Sequence, residues 1–106
     1  MWVTKGTTIF MVEGDYGIKL PFSISGTTLA AGDSIRFTFK ETANGTVILT
    51  KEYTSFTQNA ADLELTEAES ALFGVGNYVY NMDWYQNGNF MCNIIPLGIF
   101  KVVDKA

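Results

Sequence analysis

The chain has 106 residues, 47% of them hydrophobic and 17% charged, and carries a net charge of −4. That length holds one domain with one core, and the apolar content excludes intrinsic disorder. The seven basic residues, with Arg36 the sole arginine, form no patch that could displace counterions from nucleic acid.

No apolar run approaches the roughly 18 residues of a membrane-spanning helix, and the start Met1-Trp2-Val3-Thr4-Lys5-Gly6 lacks the pattern of a signal peptide. Cys92 is the single cysteine, so no internal disulfide can form, which fits assembly in a reducing compartment. The scattered acidic residues serve solubility.

In chain order, Thr7 to Glu13 reads as a first strand. Ile18, Leu20, Phe22 and Ile24 alternate with Lys19, Pro21, Ser23 and Ser25, the pattern of a strand with one buried face. Pro21 has no N–H to give a ladder, which places this strand at an edge or at a bulge. Ile35, Phe37 and Phe39 alternate with Arg36, Thr38 and Lys40. Val47 to Thr54 is a further strand, and Leu63 and Leu65 anchor a short one. Thr66-Glu67-Ala68-Glu69 matches a capping box, so one helical turn follows, ended by Gly74 and Gly76. Tyr78, Tyr80, Met82 and Trp84 give the longest one-faced strand. The chain closes with Phe90 to Ile95, a break at Pro96 and Gly98, and a last strand through Phe100 and Val102. Gly14-Asp15 and Gly32-Asp33 each read as a turn opening a strand, reused without duplication.

These elements predict one domain over residues 1–106. Its class is all-β, an antiparallel β-sandwich of about seven or eight short strands with one short helical turn. The predicted core is Leu20, Phe22, Phe37, Phe39, Tyr80, Met82, Trp84, Phe100 and Val102. Trp2 is expected to dock under it.

The second hairpin has two possible turns. A two-residue Asn87-Gly88 loop pairs Gln86 with Asn89 and sets Met82 opposite Asn93 and Asp83 opposite Cys92, mixing polar and apolar residues on both faces. A three-residue Gln86-Asn87-Gly88 loop pairs Trp84 with Phe90, Met82 with Cys92 and Tyr80 with Ile94. One face is then wholly apolar. Because a one-residue slip inverts every side chain, the pattern predicts the three-residue loop, with Gly88 in the left-handed region and Cys92 in the core.

Little chemistry is written in these residues. With no histidine the chain lacks the commonest general base and metal ligand. Cys92 has no basic partner, and no glycine-rich loop leads into a helix with a following lysine and hydroxyl. Glu64, Glu67 and Glu69 read as a solvated face with one capping residue. Asp15 and Asp33 lie in turns outside any calcium-loop pattern, and Asp83 lacks the second carboxylate of a glycosidase. No catalytic, cofactor or metal site is expected. What remains is surface: Asn81, Asp83, Tyr85, Met91 and Asn93, with Val79, would share the outer face of the hairpin as a candidate interface.

Five segments carry a resemblance when taken together in order. They are Gly14-Asp15, Gly32-Asp33-Ser34-Ile35-Arg36-Phe37-Thr38-Phe39-Lys40, Leu63-Glu64-Leu65-Thr66-Glu67-Ala68-Glu69, Gly76-Asn77-Tyr78-Val79-Tyr80-Asn81-Met82 and Gly98-Ile99-Phe100-Lys101-Val102. From about Lys5 to Val103 the chain resembles an all-β domain of bacteriophage tails and baseplates, best known at the N-terminus of baseplate upper proteins. The resemblance implies an Ig-like sandwich without catalytic residues that joins virion parts. It implies partners that are other virion subunits or further copies of the chain; charge and hydropathy leave neither nucleic acid nor membrane as an expected partner. The expected location is the virion, after synthesis in the bacterial cytoplasm. Baseplate upper proteins continue into helical or fibre domains; a chain ending at Ala106 is expected to be a small accessory subunit. The competing expectation is an Ig-like binding or adhesion module of a bacterial protein, with a protein or carbohydrate ligand.

Overall fold

Alternation of apolar and polar side chains builds nearly every element of the computed structural model. It describes residues 2–5, 8–17, 19–24 and 28–104, with the backbone alone for residues 2–5 and Pro96. In chain order the elements are β1 (Trp2–Lys5), β2 (Thr8–Val12), β3 (Leu20–Ser23), β4 (Asp33–Lys40) and β5 (Val47–Tyr53). They continue with β6 (Ala60–Leu63), α1 (Glu67–Ser70), β7 (Gly76–Gln86) and β8 (Asn89–Val103). The helix starts as predicted. Thr66 Oγ1 accepts from Glu69 N at 3.2 Å, and Thr66 N donates to Glu69 Oε1 at 2.9 Å.

Two sheets form a sandwich. The larger has six strands in the order β1-β2-β8-β7-β4-β5, and the smaller pairs β3 with β6. The run β8-β7-β4-β5 facing β3-β6 coincides with the G-F-C-C′ and B-E order of immunoglobulin-type sandwiches. A second feature agrees with that placement. Tyr78, near the start of β7, donates its hydroxyl to Gly74 O at 3.0 Å, the contact that forms a tyrosine corner. The all-β, two-sheet expectation holds.

One correction concerns strand direction. β2 runs parallel to β8, with Ile9 beside Phe100 and Met11 beside Val102, so the sandwich is not wholly antiparallel. Strands distant in sequence need no tight turn, and here the pairing sets four apolar side chains side by side on the buried face. The sequence reading also missed β1, which pairs with β2. The Trp2 side chain, Ile18 and Ser25 lie outside the described residues.

The core lies between the sheets. It consists of Ile9, Met11, Ile35, Phe37, Phe39, Leu63, Leu65, Phe73, Tyr80, Met82, Phe100 and Val102. Of the predicted core, Leu20, Phe22 and Trp84 are only half-buried and pack against it: Leu20 and Phe22 lie on the edge strand β3, and Trp84 near the end of β7, where two strands cannot cover six. Phe73, which follows α1, fills part of the shortfall. It stands edge-on to Phe39, Phe100 and Tyr78 at centroid distances of 5.7, 5.0 and 5.1 Å. Pro21 does lie on an edge among the described residues, where β3 has β6 as its one neighbour. Gly32-Asp33 opens β4, whereas Gly14-Asp15 closes β2, with Asp15 N donating to Val12 O at 3.0 Å.

The turn at Gln58-Asn59 was not legible. Both residues have positive φ, 52° and 62°, in a tight loop between Thr57 and Ala60. The Asn59 side chain fastens the neighbouring connection, accepting from Leu29 N at 2.8 Å and donating to Ile24 O at 3.2 Å.

Candidate interface on the outer face of the large sheet

The hairpin that carries the candidate residues turns through two residues. Gln86 pairs with Asn89, and Asn87 and Gly88 have φ of 50° and 81°, which makes a type I′ turn. This overturns the expected three-residue loop, although Gly88 does sit in the left-handed region. The conflict that argued against two residues is resolved by bulges. Tyr85 pairs with Phe90 but Trp84 pairs with Cys92, so Met91 is an extra residue; further shifts follow at Asp83/Met82 and at Met82/Tyr80. The expected break at Pro96 and Gly98 is likewise absorbed by a bulge, and β8 runs unbroken.

The bulges reassign side chains. Cys92, expected in the core beside Met82, is exposed opposite Trp84. Phe90, expected to pair with Trp84 on the buried side, lies opposite Tyr85 and is 53% exposed. Its ring stands edge-on to Tyr85 with centroids 5.7 Å apart. Gly98 faces Tyr80 across the ladder, and a Cβ on it would strike the Tyr80 ring, so the glycine makes room for that aromatic.

Of the candidate residues, Asn81, Asp83 and Asn93 meet in one cluster. Asp83 and Asn93 are direct cross-strand partners. Asn81 Nδ2 donates to Asp83 Oδ2 at 2.6 Å, and Asn93 Nδ2 donates to Asp83 Oδ1. Asp83 is only 6% exposed, so it organises the face and does not present itself as a contact. Two amides on its two oxygens satisfy a carboxylate that would otherwise be costly to cover. Tyr85 is half-buried, and Met91 is 44% exposed beside Phe90.

Arg36, Glu52 and Phe90 belong to this face and were missed. Arg36 sits opposite Asp83 on β4, yet its guanidinium turns to Glu52 on β5, donating to Oε2 from Nη2 at 2.9 Å and from Nε at 3.3 Å. It also lies 4.1 Å from the centre of the Tyr85 ring. Glu52's hydrogen bond, foremost, holds the guanidinium more firmly protonated than usual. The alternation around Ile35 and Phe37 already placed Arg36 on the outer face; what the sequence lacked was the lateral order β7-β4-β5.

The other carboxylates have structural partners. Asp33 is buried, accepting from Ala30 N at 2.8 Å and from Trp84 Nε1 at 3.3 Å. Glu69, beyond its capping role, accepts from Lys51 Nζ at 2.8 Å. Burial alone would raise its pKa, but the hydrogen bonds from Lys51 and from Thr66 outweigh it and hold the carboxyl below the usual glutamate range. Among the described residues no three His, Cys, Asp or Glu side chains are grouped to hold a metal ion. No protein-family model matches the chain, nor does any curated protein or solved structure.

Proposed function

We propose that the chain is a non-enzymatic structural protein of a phage or prophage tail or baseplate, acting through protein–protein contacts. The observation that carries the contact reading is the hairpin tip. Phe90 and Met91 stand 53% and 44% exposed on β8, just past the two-residue turn and beside the hydrogen-bonded Asn81, Asp83 and Asn93 cluster. Aromatic and methionine side chains are what protein interfaces enrich, and the Phe90 ring offers a large contact area at little conformational entropy. The phage assignment is supported by the ordered segments that resemble tail domains. Four of the five fall on β4, the β6–α1 connection, the start of β7 and the end of β8, elements that frame the core, and Gly14-Asp15 follows β2.

Mass spectrometry and immunogold labelling of particles from the source strain test this reading. The chain should co-purify with tails at fixed stoichiometry. Its absence from purified tails would overturn the assignment.

One observation favours a second reading, an Ig-like binding module. The Tyr85–Phe90 ring pair adjoins the Asn81, Asp83 and Asn93 side chains, an aromatic surface next to amides that can serve a carbohydrate ligand. Saturable binding to a glycan array, together with absence from tails, would establish that reading instead.

A further inference from the structure

The two-residue turn fixes the backbone of the hairpin tip but leaves the Phe90 ring to its own side-chain torsions. Phe90 is 53% exposed, and its ring leans edge-on against Tyr85 with centroids 5.7 Å apart. Whatever orders Tyr85 therefore orders the tip. Directly across from Tyr85 on β4 stands Ser34, too short to cover the ring. Arg36 is the diagonal neighbour, and a long side chain can span that diagonal. Its guanidinium carbon lies 4.1 Å from the centre of the Tyr85 ring. A cation this close to an aromatic face is attracted by the ring quadrupole.

Two neighbours aim the guanidinium. Asp83 is the direct cross-strand partner of Arg36, but both of its oxygens accept from the Asn81 and Asn93 amides. Arg36 turns instead to Glu52 on β5, donating to Oε2 from Nη2 at 2.9 Å and from Nε at 3.3 Å. Two donors of one planar group on a single oxygen restrict the plane of that group. The Arg36 and Glu52 side chains are 36% and 43% exposed, and ion pairs this open to water add little to stability. Orientation is what the pair supplies.

We propose that Arg36 is a positioning residue of the hairpin tip, holding Tyr85, and through it Phe90, in the arrangement that docks onto a partner protein. This inference rests on the reading of the tip as a contact surface. With Phe90 held before the partner arrives, less side-chain ordering is left for the moment of docking.

Ring-to-ring nuclear Overhauser contacts in the isolated full chain test the positioning. The core pair Phe39 and Phe100, 5.3 Å apart, serves as the internal reference. Arg36→Thr suits a strand but cannot reach the Tyr85 ring. It should melt within a few degrees of the parent, keep the core contact and lose the contact between Tyr85 and Phe90. Arg36→Lys, which keeps the cation, should retain part of that contact, and Glu52→Gln should weaken it less than Arg36→Thr does. A Tyr85–Phe90 contact at parental intensity in Arg36→Thr would overturn the proposal. Loss of the core contact would overturn it too, because Arg36 would then hold the fold and not the tip. Docking is read by incorporation into purified tails, where Arg36→Thr should fall below the parent. Parental incorporation despite a lost ring contact would overturn the docking role. A parent chain missing from tails would overturn the proposed function instead, and the ring contacts would still decide what Arg36 holds.

Discussion

The two faces of the six-stranded sheet are built on different rules. On the inner face, Ile35, Phe37 and Phe39 of β4 and Tyr80 and Met82 of β7 are buried by the opposing layer. Their stability comes from area removed from water and from ring-on-ring packing. The outer face of the same strands carries Arg36, Asn81, Asp83 and Tyr85, joined sideways through Glu52 on β5 and Asn93 on β8. Its order comes from directional contacts, each of modest net worth. The inner face fixes the fold, while the outer face fixes the shape of the hairpin that we assign to partner contact.

Breaking the inner face should have the largest effect. Phe39 is buried among Phe73, Tyr80 and Phe100, at centroid distances of 5.7, 5.9 and 5.3 Å. Phe39→Ala should cost about 3–5 kcal/mol in chemical denaturation, the range for a core aromatic. That is a large share of the stability of a small domain. A loss near zero would mean that the rings reorganise without cost.

Gly98→Ala should cost less, about 1–3 kcal/mol, because the new methyl must displace the Tyr80 ring in a packed core. If this variant melted with the parent, the close approach of β8 to Tyr80 would not constrain the ladder.

The outer face is probed by Asp83. Asp83→Ala removes the shared acceptor of the Asn81 and Asn93 amides, which stay within reach of water, and about 0.5–1.5 kcal/mol should be lost. Asp83→Asn, which keeps an acceptor in place, should lose less. Equal losses would show that packing, and not hydrogen bonding, sets Asp83's contribution.

The smallest effect is a pH dependence at the helix start. The Glu69 pKa is depressed in the folded chain, as Lys51 and Thr66 together outweigh burial. Its contribution is therefore present above the unfolded glutamate pKa and is lost as pH falls through the lower folded value. Melting temperatures of the parent and Glu69→Gln should differ at neutral pH and converge in acid. A difference that persisted at low pH would assign the effect to shape alone.

This contrast also explains what could be read from the chain. Alternation writes the inner face into the sequence directly, so Phe37, Phe39, Tyr80, Met82, Phe100 and Val102 were identified as core. The capping box at Thr66 and Glu69 was equally local. Errors gathered where lateral pairing or a bulge decides. An extra residue at Met91 moved Phe90 and Cys92 to the surface, and the parallel β2–β8 pair joins strands far apart in the chain. Asn87-Gly88 gave the correct turn signal, but requiring unbroken alternation through a bulged strand overrode it. On the candidate interface the clustering of Asn81, Asp83 and Asn93 was accessible from one hairpin. The part played by Arg36 and Glu52 was not, because it depends on β4 and β5 lying beside β7.

The contact role proposed for the hairpin tip is tested most directly by particle incorporation of Phe90→Asp. Phe90 is exposed and lies outside the core, so this variant should melt close to the parent. The account predicts a folded protein that is lost from purified tails produced in the source strain. Incorporation at the parental level would contradict it.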